Sequence, residues 1–156
     1  MIYKNKMKPF KIVLGISFIS VILGFLIYLL LRPVEIPIVS YLISKAPIIG
    51  RLRKEIGRFR IPAWIIYNLP DAIWAYSFVL IMTTIWGSKK RKENILWILL
   101  TIIISIGYEV GQLFNIVPGT FDFLDLIFII LGIGMGIGTV VYINYFATKK
   151  YLNIII

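Results

Sequence analysis

Residues 101–136 read TIIISIGYEVGQLFNIVPGTFDFLDLIFIILGIGMG: two long apolar segments around one short turn, with Glu109, Gln112, Asp122 and Asp125 at the turn's edges. Segments of this length and apolarity are the signature of a membrane crossing, which takes about 20 residues. A charged side chain inside a span costs about 2.5–3.5 kcal/mol or more at the bilayer centre. Carboxyl groups held so close to hydrocarbon therefore have a packing role or a functional one. This hairpin constrains the fold more than any other part of the chain.

Composition agrees with lipid as the solvent. The chain has 156 residues, 60% hydrophobic and only 15% charged, where soluble domains run at roughly 25% charged. Its net charge is +10. The basic residues lie between apolar runs, so the partners they suggest are membrane lipids and anionic head groups rather than nucleic acid. Cys and His are absent. This removes disulfides, thiol nucleophiles and the commonest general base. Any chemistry falls to carboxylates, Tyr, Lys, Arg or hydroxyls, and no cofactor fingerprint is present. The GIGMGIG run at 132–138 sits inside an apolar span with no strand before it, so it is not a dinucleotide motif.

Hydropathy predicts an all-α, four-transmembrane-helix bundle forming a single membrane domain over 1–156, with spans at about 12–31, 69–87, 95–114 and 121–146. Lys4, Lys6, Lys8 and Lys11 precede the first run, which ends without a small-residue cleavage site and reads as an uncleaved span. Ser17, Ser20 and Gly24 give it one small face for helix contact. The connection that follows is broken by Pro33, Pro37, Pro47 and Pro62. Within it, Ile49, Leu52, Ile56 and Phe59 recur at helical spacing, with Arg51, Lys54, Glu55 and Arg58 on the other sides. That pattern predicts a basic amphipathic helix over about 48–60, lying in the interface and offering Arg51, Arg53, Lys54, Arg58 and Arg60 to lipid phosphate. Trp64 and Tyr67 read as interface aromatics.

Pro70 and Asp71 open the second span, where a missing N–H is harmless and an acid suits the positive helix end. The run Lys89–Lys90–Arg91–Lys92 follows it as a cytoplasmic clamp. In the third span Thr101, Ser105, Tyr108, Glu109 and Gln112 form one polar stripe, which must meet helices or water rather than lipid. In the fourth, Asp122 and Asp125 lead by helical steps into Ile129, Gly132, Gly136 and Thr139. The short turn between these spans predicts antiparallel neighbours, with Gly132 and Gly136 packed on the third span and a second pair, Gly134 and Gly138, on another side. With ten basic residues on the terminal side and seven in the connection at 32–60, both termini are expected in the cytoplasm of a multi-pass inner-membrane (plasma-membrane) protein. The acidic cluster and the basic arm then share the extracytoplasmic half.

Three motifs stand in order: PDAIW at 70–74, YEVGQ at 108–112 and PGTFDFLD at 118–125, followed by a glycine-rich helix. Across 69–138 this pattern resembles the VanZ-like family of bacterial membrane proteins. The resemblance implies that Glu109, Gln112, Asp125 and Gly132 occupy the family's recurring positions. It also implies an envelope function, with one family member linked to teicoplanin resistance. The chain departs from the family at Gly119-Thr120, where an Arg is common, and at Ile129, where an Asn is common. An Arg–carboxylate pair would then be absent or supplied by the basic arm.

From the residues alone, four readings of the cluster stay open. The carboxyl groups lock two helices together. They form, with Tyr108, Gln112 and Asp71, a pocket for a lipid-linked or envelope ligand. They hold Mg or Ca through hard oxygens. Or they act as paired catalytic carboxylates in a small membrane enzyme or carrier. A membrane-protein partner or a second copy of the chain is a further expected contact.

Overall fold

The computed structural model describes residues 2–86, 91–117 and 119–155, with side chains at 10–86, 95–117 and 119–145. Seven helices follow one another: α1 (Ile2–Leu31), α2 (Pro37–Lys45), α3 (Pro47–Ile56), α4 (Ala63–Tyr67), α5 (Leu69–Trp86), α6 (Arg91–Leu113) and α7 (Phe123–Ile155). There is no strand among the described residues. Four of the helices are long and apolar enough to cross a membrane, over Phe10–Leu31, Leu69–Trp86, Ile95–Leu113 and Phe123–Tyr145. The protein is an all-α polytopic membrane bundle. Lys89 and Lys90 of the expected cytoplasmic clamp lie outside the described residues, as does Pro118.

The connection between α1 and α5 is more helical than its four prolines suggested. Pro37 and Pro47 open helices instead of interrupting them, because the first turn has no use for the missing N–H. A residue before proline is pushed out of the α region. Ala46 (φ −133, ψ 85) accordingly separates α2 from α3. The predicted amphipathic helix is α3, but it stops at Ile56, so Arg58 and Arg60 lie beyond it. None of its residues is fully buried. Leu52 and, past its end, Phe59 are exposed, leaving an apolar stripe free to meet lipid.

The helix at the centre is α5, which packs extensively on both α1 and α7 and also on α6. Its Ala75 and Val79 form a core with Ile129 and Ile133 of α7, closed by Ile102 and Ile106 of α6. Buried Ser77, Thr83 and Thr84 donate to their own helix at Ile73 O (2.6 Å), Val79 O (2.7 Å) and Leu80 O (2.6 Å). Hydroxyls satisfied in this way can face a neighbour without a partner on it. Gly24 on the small face of α1 receives Trp74 of α5, and a Cβ there would lie 2.6 Å from the indole.

The glycine face of α7 corrects one expectation. Gly132 and Gly136 pack on α5, not on α6. A Cβ on Gly132 would collide with the carbonyl of Ala72, and one on Gly136 would lie 2.9 Å from Val79 Cβ. The reason lies in the neighbouring residues: Ala72 and Ala75 let α7 approach the α5 backbone, whereas α6 touches α7 only lightly despite the short loop joining them. Gly134 and Gly138 face open space.

Candidate functional site

Four helix ends meet at the end of the bundle that carries the long connection: the C-termini of α1 and α6 and the N-termini of α5 and α7. Each is shaped by local sequence. Pro33 follows Arg32 and stops α1. Asn115 (φ 55) ends α6 in the left-handed region, which Asn tolerates better than most residues. Its N–H donates to Gln112 O (3.0 Å), and that of Ile116 donates to Gly111 O (2.8 Å), so the last carbonyls of α6 are satisfied. Gly119 (φ 135) then turns over the side chain of Gln112, where a Cβ would collide with it. Asp122 caps α7, its Oδ1 accepting from Leu124 N (2.8 Å).

These ends enclose a cavity of about 620 Å³, whose lining includes Arg32, Asp71, Glu109, Gln112, Asp122 and Asp125. Tyr28, Tyr67, Trp74 and Tyr108 add aromatic surface, and Ile104 and Ile129 add apolar surface. The structure thus brings every acidic residue singled out from the sequence to one cavity, with Asp71 in the lining beside the others. The polar stripe of α6 turns inward only in part. Glu109 and Thr101 are buried, Ser105 and Gln112 are half-buried, and Tyr108 is half exposed at the cavity wall. Thr101 is satisfied by Trp97 O of its own helix (3.0 Å) and takes no part in the site.

The carboxyl groups are unequally partnered. Asp125 Oδ1 accepts from Asn68 Nδ2 at 2.6 Å, and the same amide lies 3.4 Å from Asp122 Oδ2. Asp71 Oδ2 pairs with Arg32 Nη2 at 3.4 Å. Glu109 is only 6% exposed. It takes a backbone hydrogen bond from Asp122, while its Oε2 is buried with no partner among the described residues. Buried polar atoms in native proteins are rarely left so.

Arg32, Asn68 and Tyr28 were not singled out from the sequence as site residues. Arg32 brings a guanidinium to the acidic end. It donates to Tyr67 O (2.8 Å) and sits 5.4 Å from the Tyr28 ring centre and 5.2 Å from that of Tyr67. Tyr28 in turn stacks on Trp74 at 5.7 Å. The signal was present in part: Arg32 is the basic residue of the connection that immediately follows a span, and Asn68 immediately precedes LPD.

In the basic arm Arg53 is partly engaged within the protein: its guanidinium donates to Leu29 O and to Arg32 O (2.5 Å) and closes the end of α1. Arg58 pairs with Glu55 at 2.6 Å on the surface. Arg51, Lys54 and Arg60 remain exposed. Arg53, Lys54 and Arg60 line a second hollow of about 700 Å³, otherwise largely apolar, between α3 and the end of α1.

Comparison with protein-family models, curated proteins and solved structures finds no match to this chain. The chemistry must therefore be read from the cavity itself. Among the described residues no group of three or more acidic side chains is placed to hold a metal ion, so the Mg or Ca reading gains nothing from the geometry. The cavity offers several acceptors, one guanidinium and a partly aromatic wall. That inventory suits an organic ligand bearing hydrogen-bond donors.

Proposed function

We propose that this chain is a VanZ-like envelope membrane protein that binds the polar part of a lipid-linked or envelope ligand in the acidic cavity at the end of its bundle. The reading extends to glycopeptide resistance of the teicoplanin type. One observation carries it: Glu109, a buried carboxyl group with an unpartnered oxygen, lines the same cavity as Asp71, Asp122, Asp125 and Arg32. A purely structural lock would leave its polar atoms paired with one another. Intramembrane ionisable groups that face a cavity mark ligand or ion pathways. Exposed Arg51, Lys54 and Arg60 are positioned beside the bundle to attract lipid phosphate.

The test is a susceptibility assay in a host that gains resistance from the wild-type chain. Glu109→Gln and Asp125→Asn should each abolish the resistance at unchanged membrane abundance. Wild-type resistance in both variants would defeat the reading. Orientation is tested separately with Gly50→Cys, since the natural chain has no Cys. A membrane-impermeant thiol reagent on intact cells should label it if the cavity end faces outward. Labelling only after lysis would place that end in the cytoplasm.

A further inference from the structure

Resting on the cavity reading above, we propose that the occupant carries a primary ammonium group, held by Glu109 and Asp125 within the aromatic wall of the cavity. The charge inventory points that way first. Four carboxyl groups line the cavity, and Arg32 is the only Lys or Arg side chain among its lining residues. Arg32 is already engaged by Asp71 and by the Tyr67 carbonyl. Among the described residues Asp125 receives a neutral donor, the Asn68 amide. Asp122 spends one oxygen on capping α7.

Glu109 is the second and independent observation. Its side chain lines the cavity, the residue is 6% exposed, and Oε2 has no donor among the described residues. An ammonium has three N–H donors and one positive charge, so it can satisfy Glu109 and Asp125 together. The walls also contribute: Trp74 and Tyr108 line the same space and ring faces attract cations, while Tyr28 and Tyr67 already carry Arg32. A hydrated metal ion would need a tighter set of oxygens than the described residues supply. A neutral polyol would supply donors and leave the charge unbalanced.

Two sources share this chemistry: a free organic amine, and an aminoalkyl phosphate head group on a lipid. Arg32 Nε is also buried without a partner among the described residues, and a phosphate oxygen beside the ammonium would complete it.

The experiment is calorimetric titration of the full-length protein in a maltoside detergent. The probes are ethanolamine, phosphoethanolamine, glycerol 3-phosphate and N-acetylglucosamine. Ethanolamine and phosphoethanolamine should bind. Glu109→Gln should weaken both by about tenfold or more, the loss expected for a charged hydrogen bond. Asp125→Asn should act in the same direction, and both variants should melt at the wild-type temperature. Tighter binding of phosphoethanolamine, lost in Arg32→Gln, identifies a lipid head group. Equal binding of the two amines identifies a free amine. Amines that bind no better than glycerol 3-phosphate, or that bind Glu109→Gln unchanged, overturn the proposal. If N-acetylglucosamine binds in a Glu109-dependent way and the amines do not, the ammonium inference falls and the cavity reading stands. If no probe binds and both variants keep full resistance, both fall.

Discussion

The two flanks of α5 are built on opposite principles. Toward α7, alanines meet glycines and the backbones nearly touch: Gly132 lies against the Ala72 carbonyl and Gly136 against Val79. That seam has no room for a ligand. Toward α6, the residues at the same end of the bundle are Glu109, Gln112 and Tyr108, and a cavity opens. Small side chains give van der Waals contact, which is what holds helices together in lipid. Polar ones keep the helices apart and need something to bond. The seam fixes the scaffold, and the flank beside it stays open for binding.

Gly132→Leu is the most severe way to break that contrast. The added side chain would meet backbone rather than a movable side chain. Overpacking of this kind costs about 1–3 kcal/mol or more. The expected result is a clear loss of thermal stability in detergent, and a wild-type melting temperature would refute the seam. Next is Arg53→Ala, which releases two carbonyls at the end of α1. We expect about 1 kcal/mol of destabilisation, the usual net worth of a hydrogen bond lost at a partly buried acceptor. Because Arg53 also grips the backbone of Arg32, the variant should bind cavity ligands more weakly, which titration would reveal.

Asn68→Ala removes the amide that joins the α5 entrance to Asp125 on α7. The expected loss is about 1–2 kcal/mol in denaturant or thermal unfolding. It tests whether the acidic flank contributes to stability as well as to binding. The smallest effect belongs to Gly134→Ala. This glycine meets nothing within 4 Å, so the change should stay within about 0.5 kcal/mol or stabilise slightly through helix propensity. A large loss there would mean that the outer face of α7 has a partner and that the seam is not the only close contact of this helix.

Much of the site was legible because its polar residues are conspicuous against apolar neighbours. Glu109, Gln112, Asp122 and Asp125 stand within one hairpin, and helical spacing alone puts them at one depth. Their partners were harder to read. Arg32 and Asn68 stand at the two ends of the long connection, and no local pattern marks either as a site residue. Both act across long stretches of chain, Arg32 on Asp71 and Asn68 on Asp125. Arg53 is a related case: in the sequence it reads as one more cation of a basic segment, and only the folded chain shows its guanidinium reaching the end of α1.

The sequence by itself determined the four apolar spans, their limits to within a few residues, the absence of strands from the expected fold and a short amphipathic helix at α3. Lipid makes these legible, because a crossing segment must be apolar for its whole length and must satisfy its backbone internally. Only the tertiary structure decided that α5 is central, that the glycines of α7 face α5 instead of α6, and that Arg32 and Asn68 complete the acidic end. In lipid a side chain facing another helix and one facing hydrocarbon can both be apolar, so no amphipathic stripe announces the neighbour. Helix order in space is set by which small residues permit the closest approach. That choice depends on pairs of faces, and a single run of sequence shows only one face of each pair.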